Sequence, residues 1–128
     1  MPVVATSKGV RISPRKVGEV ASLVRGRTIS DALVILEHTP RRAAGAVKQA
    51  VKSAEANAEH NHSLKPDTLF IAEISVVPGP RLKRYRPAAR GRALRFQRKT
   101  SHIRVVIDGE KRTIKKPVTK TELSEVKK

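Results

Sequence analysis

The chain has 128 residues and no cysteine, and its 28 Lys and Arg against 11 Asp and Glu give a net charge of +17. This length suffices for one compact domain, and without cysteine neither a disulfide nor a thiolate zinc site can stabilise it. So large a positive charge in so small a domain indicates a polyanionic partner, because the isolated chain repels itself.

The first element is a predicted strand over residues 3–12, with an irregularity at Ser7-Lys8-Gly9. Ser13 and Pro14 then begin a helix, because a hydroxyl can cap free N–H groups and proline is tolerated where no N–H is needed. Gly26 follows the last apolar residue at helical spacing and predicts the end of this helix.

Two further helices are predicted in the first half of the chain. Ser30 is the expected cap of a short one, and Thr39-Pro40 repeats the cap-and-proline signal before the longest, over about residues 41–61. The longest helix has an inward face of small residues, which permits close packing against a sheet or another helix. This face comprises Ala43, Ala46, Val47, Ala50, Val51, Ala54 and Ala58.

The second half contains two predicted strands, residues 69–77 and 103–107, on either side of a basic segment. Together they predict one extended antiparallel hairpin with its turn at residues 87–91. The sequence thus divides into a globular domain of residues 1–78 and 100–108, a basic hairpin arm of residues 79–99, and a disordered basic tail of residues 109–128.

The arm is the strongest nucleic-acid signal in the sequence. Its basic residues are Arg81, Lys83, Arg84, Arg86, Arg90, Arg92, Arg95, Arg98 and Lys99. Arginine can bind a phosphate through two donors at once, and Tyr85 and Phe96 offer the stacking surfaces that unpaired bases require. A solvated, flexible loop is the ordinary alternative, but charge runs of that kind normally lack interleaved aromatic residues and flanking strands.

A second basic group lies on the first strand and the first helix. It comprises Lys8, Arg11, Arg15, Lys16, Arg25 and Arg27. On the helix these side chains fall outside the apolar stripe, so they are expected to face outward. An RNA contact and an ordinary solvated helix face explain them equally well.

Other classes of function have weaker support. His60 and His62 lie two residues apart in a predicted loop, which is too few ligands for a metal site, and the arm has no carboxylates to hold the metal ions of a nuclease. No glycine-rich phosphate loop is present, so we expect no enzyme, no cofactor and no small-molecule substrate. No apolar run suits a signal peptide or a membrane, which predicts a cytoplasmic protein without a membrane partner. A free-standing RNA chaperone or DNA-binding architectural protein stays open.

Several short motifs occur in order between residues 8 and 107. They are Arg11-Ile12-Ser13-Pro14-Arg15-Lys16-Val17, Val24-Arg25-Gly26, Ala32 to Leu36 followed by Thr39-Pro40, Ala56-Asn57-Ala58-Glu59-His60-Asn61, Gly79-Pro80, Leu82-Lys83-Arg84, Pro87, Arg90-Gly91-Arg92-Ala93 and Arg98-Lys99-Thr100-Ser101-His102-Ile103. Together they resemble the bacterial type of the large-subunit ribosomal protein twenty-two family. The resemblance implies an α+β fold, with three helices packed on a small antiparallel sheet and a long protruding β-hairpin.

The resemblance also implies a function. It implies a structural constituent of the large ribosomal subunit that binds large-subunit ribosomal RNA, assists early subunit assembly and lines the nascent-peptide exit tunnel with its arm. The implied partners are this RNA, neighbouring ribosomal proteins and the nascent peptide. RNA-binding residues would be both basic groups with Tyr85, Phe96 and His102. The tunnel-side tip would comprise Leu82, Lys83, Arg84, Pro87, Ala88, Ala89, Arg90, Gly91 and Arg92. Ala88 departs from the family pattern, in which a basic residue is common.

Overall fold

A three-stranded antiparallel sheet carries helices on one face and a two-stranded hairpin at one end. This is the arrangement in a computed structural model, which describes residues 1–113. The helices are α1 (Pro14–Val24), α2 (Ile29–His38) and α3 (Arg42–His60), and the strands are β1 (Val3–Val10), β2 (Phe70–Pro78), β3 (Leu82–Pro87), β4 (Ala93–Arg98) and β5 (Ser101–Asp108). The predicted α+β class is confirmed. The predicted tail lies outside the described residues from residue 114 onward.

The first helix begins and ends where the sequence predicts. Pro14 occupies the first helical position and Ser13 precedes it in extended conformation, although the Ser13 side chain forms no capping hydrogen bond. Gly26 has a φ of +75°, in the left-handed region that favours glycine. The irregularity in β1 is also confirmed, since its pairing with β5 shifts register between Ser7 and Val10.

The predicted caps of the other two helices are wrong. Thr28 caps α2, because its hydroxyl accepts a hydrogen bond from the Asp31 N–H at 3.4 Å, and Ser30 lies inside the helix. Thr39 lies at the C-terminal end of α2, where its hydroxyl donates to the Ile35 carbonyl at 2.6 Å. The residue that precedes α3 is Arg41, which offers no side-chain cap.

The core lies between the sheet and the helices and is built from aliphatic residues alone. Strand β5 is central, with β1 and β2 on either side. The buried apolar side chains of the sheet are Val3, Ala5, Ile71, Ile74, Ile103, Val105 and Ile107. Helices α1 and α3 pack on them, and α2 packs against α3 and α1. All of the predicted inward face of α3 is buried except Ala46, which is half-buried, and Ala44 is buried in addition. Since no aromatic residue is buried here, aliphatic packing must supply the stability.

The arm joins the sheet through an irregular junction. Strands β2 and β5 pair as far as Pro78 and Ser101, and β3 and β4 resume pairing at Leu82 and Arg98. Residues 79–81 therefore oppose residues 99–100, and this unequal pairing interrupts the ladder. Two hydrogen bonds hold the junction: the Gly79 N–H donates to the Thr100 carbonyl at 2.8 Å, and the Thr100 hydroxyl donates to the Pro80 carbonyl at 2.6 Å.

Candidate nucleic-acid interface

The arm presents basic side chains on both of its faces. In the β3–β4 register, Arg84 lies opposite Phe96 on one face, and Tyr85 lies opposite Arg95 on the other. Residues two apart along a strand share a face, so Arg86 and Arg98 join Arg84, while Lys83 joins Arg95. All nine basic side chains of the arm are exposed. None of them takes part in an ion pair among residues 1–113.

Each aromatic ring of the arm is paired with an arginine. The guanidinium carbon of Arg86 lies 5.0 Å from the centre of the Phe96 ring, and that of Arg95 lies 5.9 Å from the centre of the Tyr85 ring. Both distances suit a cation–π contact. Tyr85 remains exposed and Phe96 is half-buried.

The residues of the predicted tunnel-side tip fall in two places. Residues 87–92 form the turn, which the Ala88 N–H closes by donating to the Arg92 carbonyl at 2.8 Å. Two consecutive residues of this turn, Arg90 and Gly91, have positive φ of 59° and 71°. Residues 82–84 lie instead at the sheet end of β3, beside β4. Lys83 and Pro87 are about 14 Å apart along the strand at ~3.4 Å per residue, so the predicted tip extends over most of the length of β3.

An open cleft of about 740 Å³ lies where the first turns of α1 and α3 meet the end of the arm nearest the sheet. Its basic lining residues are Arg11, Arg15, Lys16, Arg41, Arg42, Arg98 and Lys99. Glu19 is the one carboxylate among the described lining residues, and its Oε2 accepts a hydrogen bond from Nη1 of Arg41 at 2.7 Å. The cleft thus joins part of the second basic group to the arm, and six of its seven cations have no ion-pair partner among residues 1–113.

Two members of the cleft, Arg41 and Arg42, are absent from the sequence-based set. A signal for them exists, because the first turns of α1 and α3 contain no acidic residue. A helix N-terminus carries partial positive charge, so acidic residues are stabilising there and basic ones are not. Basic residues in this position, Arg15 and Lys16 on α1 and Arg42 on α3, indicate a place where an external anion is expected.

The structure places other predicted residues outside the cleft. Arg25 folds back on the sheet, where its guanidinium donates to the Ile74 carbonyl at 3.0 Å, and the Arg27 guanidinium donates to the Leu23 carbonyl at 3.0 Å. Lys8 is exposed on β1. His102 is half-buried near the arm junction, and its Nδ1 accepts a hydrogen bond from the Gly9 N–H at 3.0 Å. None of these four side chains lines the cleft.

Two other kinds of site find no support in the described part of the chain. Within residues 1–113, no three histidine or acidic side chains converge as a metal site would require. None of the described helices is long and apolar enough to cross a membrane.

Fold and surface together define a class: a small α+β protein with a basic cleft and a basic arm, suited to lie against a polyanion. The sequence family described as Ribosomal protein L22p/L17e matches residues 5–108. The chain belongs to this family, whose members are structural proteins of the large ribosomal subunit and not enzymes. The resemblance inferred from the motifs is therefore confirmed.

Curated relatives from bacteria are similar over nearly their whole length. Each carries the name Large ribosomal subunit protein uL22. The protein of Clostridioides difficile is 49% identical over 111 residues, which cover 87% of this chain and 100% of the relative. That of Clostridium tetani is 50% identical over 107 residues, 84% of this chain and 96% of the relative. Membership places the chain in the ribosome, which lies in the cytoplasm in bacteria, among partners that are themselves ribosomal components.

Proposed function

We propose that the chain binds large-subunit ribosomal RNA directly, through the arm and the cleft together, and that this binding assists early assembly of the subunit. One observation carries the proposal: Arg98 and Lys99 belong to the arm and also line the cleft, so the two basic surfaces are continuous. A continuous surface of unpaired cations can follow a folded phosphate backbone, and the release of its counterions drives association.

We further propose that the turn of the arm, residues 87–92, reaches the wall of the nascent-peptide tunnel. The arm cannot fold back on its own core, because both faces carry cations that burial would leave unpaired. Strands β3 and β4 each have six residues, so the paired part extends about 20 Å from the junction at ~3.4 Å per residue. The globular part, residues 1–78 and 100–108, would stay at the RNA surface beside neighbouring ribosomal proteins.

Filter binding of the full chain tests the RNA contact. The ligand is a large-subunit ribosomal RNA transcript, and excess bulk transfer RNA is the competitor. We expect tight binding that survives the competitor and weakens steeply with salt. A triple variant with Arg84, Arg90 and Arg92 changed to alanine should bind more weakly at an unchanged melting temperature, because these exposed side chains form no ion pair within residues 1–113. Equal affinity for both RNAs would favour a general RNA chaperone instead.

Site-specific cross-linking tests the tunnel contact. Since the chain has no cysteine, Ala89→Cys introduces a single thiol in the exposed turn, and Ser30→Cys introduces one on the exposed surface of α2 as a control. Ribosomes that contain either variant and a stalled nascent chain are treated with a thiol-directed cross-linker. We expect a nascent-chain adduct with the turn variant alone. Adducts from neither variant, in ribosomes shown to contain them, would contradict the tunnel assignment.

A further inference from the structure

The aromatic residues of this chain are unusual in their location. The chain has one tyrosine, two phenylalanines and no tryptophan, and the core contains none of them. Tyr85 has 64% of its surface exposed, on a strand whose other side chains are mostly charged. Burial is the usual way in which a ring stabilises a fold, so an exposed ring in a basic ribbon calls for another partner.

The two rings lie on opposite faces of the arm, each beside a guanidinium group. Tyr85 faces Arg95 directly across the ladder, and Phe96 lies diagonal to Arg86 on the other face. The contacts of 5.9 Å and 5.0 Å hold each planar cation beside its ring. An arginine–ring pair of this kind offers two flat, polarisable surfaces, and both can stack on a nucleobase.

We propose that the arm carries two stacking sites, Tyr85 with Arg95 on one face and Phe96 with Arg86 on the other, and that each receives an unpaired base of RNA. The inference rests on the proposed RNA contact and adds the form of RNA that is bound. Bases within a duplex are already stacked on their neighbours, so only single-stranded loops, bulges or ends can supply a free base.

Cations beside each ring can bind the backbone phosphates that flank such a base. On the Phe96 face, Arg84 lies directly opposite the ring and Arg98 lies two residues further along β4. On the Tyr85 face, Lys83 precedes the ring by two residues on the same strand. Phosphates flanking a stacked base would therefore meet a positive side chain on either face. This combination of stacking surface and adjacent charge is the usual design of sites for single-stranded nucleic acid.

Tyrosine fluorescence of the full chain provides a direct test, since Tyr85 is the only tyrosine and there is no tryptophan. The probes are a single-stranded oligouridine of about 12 nucleotides and an RNA duplex of the same length, a size within the usual range of such sites. We expect the single strand, and not the duplex, to quench the fluorescence. Tyr85→Leu and Phe96→Leu should each weaken single-strand binding by about 5- to 100-fold and leave duplex binding within about two-fold.

Two further variants separate stacking from charge and from general apolar contact. Arg95→Lys keeps the charge and removes the planar group, so it should weaken single-strand binding alone. Leu94→Ala shortens another exposed apolar side chain of the same strand and should change neither affinity. Backbone amide chemical shifts of residues 82–98 report whether the arm keeps its structure in each variant.

Two results would overturn the proposal. Ring variants that bind the single strand as tightly as the original chain would show that the rings do not contact bases. Ring variants that lose both affinities equally, with shifted amide signals throughout the arm, would show that the rings only stabilise the hairpin. If the proposed function holds, either result would leave the preference for ribosomal over transfer RNA intact. Failure of the stacking proposal can therefore be distinguished from failure of the proposed function.

Discussion

Replacing Arg42 by alanine should separate the role of the cleft in RNA binding from any role in stability. Arg42 is exposed at the first position of α3 and has no ion-pair partner within residues 1–113. Its charge lies next to the positive end of the helix dipole. Removing it should therefore stabilise the isolated protein, by about 0.3–1 kcal/mol. Removing a phosphate contact should at the same time weaken RNA binding.

The size of the binding effect follows from counterion release. Each phosphate contact contributes about −0.7 to the slope of log K against log salt on single-strand scaling. Arg42→Ala should thus make the slope shallower by ~0.7, which is about a five-fold loss of affinity near 0.1 M salt and almost none near 1 M. The assay is filter binding to the large-subunit RNA transcript over a salt series, together with thermal unfolding of the free protein.

Lys52→Ala is the matched control for this experiment. Lys52 is exposed on the same helix, and its removal changes the net charge equally. It lies ten residues from Arg42, or about 15 Å along the helix, which exceeds the screening length of ~10 Å at 0.1 M salt. We expect no change of slope. Equal slopes for the two variants would refute the assignment of the cleft as a phosphate site, and a lower melting temperature for Arg42→Ala would refute the expected gain in stability.

Three further substitutions test the packing and electrostatics of the fold by thermal unfolding. Gly45→Ala should raise stability by about 1 kcal/mol, because a Cβ on this helical glycine meets nothing within 4 Å. Gly79→Ala should lower stability by about 1–3 kcal/mol, since its Cβ would lie 2.6 Å from the Thr100 hydroxyl at the arm junction; an unchanged melting temperature would contradict this. Burial and, secondarily, the Glu59 carboxylate raise the pKa of Glu55, so its ionised form destabilises the fold. Glu55→Gln should therefore raise the melting temperature at neutral pH and have no effect in acid, where the carboxyl is protonated in both states.

The helix starts show how far local sequence determines this fold. Proline fixes its own φ and has no N–H to be paired, and both properties suit the first turn of α1, where Pro14 lies. A hydroxyl residue has more than one use: Thr39 bonds the carbonyl four residues earlier and ends α2, where a cap for α3 was predicted. The start of α2 depends on tertiary pairing. The Gly26 N–H donates to the Ile71 carbonyl in β2, and the Ile29 N–H donates to the Leu69 carbonyl just before that strand. This pairing keeps the chain extended up to Thr28 and makes that residue the cap.

The cleft shows the same division between local and tertiary information. Composition and spacing predict the arm, because its cations lie close together in the chain and the strands that flank it are rich in β-branched residues. Convergence of α1, α3 and the arm at one cleft depends on how the helices pack on the sheet, which no local pattern contains. Charge alone also could not separate Arg25, which bonds a strand carbonyl, from Arg15, which lines the cleft.

Cations at the first turns of two helices destabilise the isolated protein, and those on both faces of the narrow hairpin form no ion pair within residues 1–113. This arrangement nonetheless suits a protein that binds a polyanion, because an anion at the same surface relieves each repulsion. Folded and unfolded chains both attract RNA through their charge, so charge alone cannot favour the native state. Only the folded chain joins the cleft to the arm through Arg98 and Lys99. An RNA whose backbone follows that continuous surface therefore binds the native state in preference, and in doing so stabilises it.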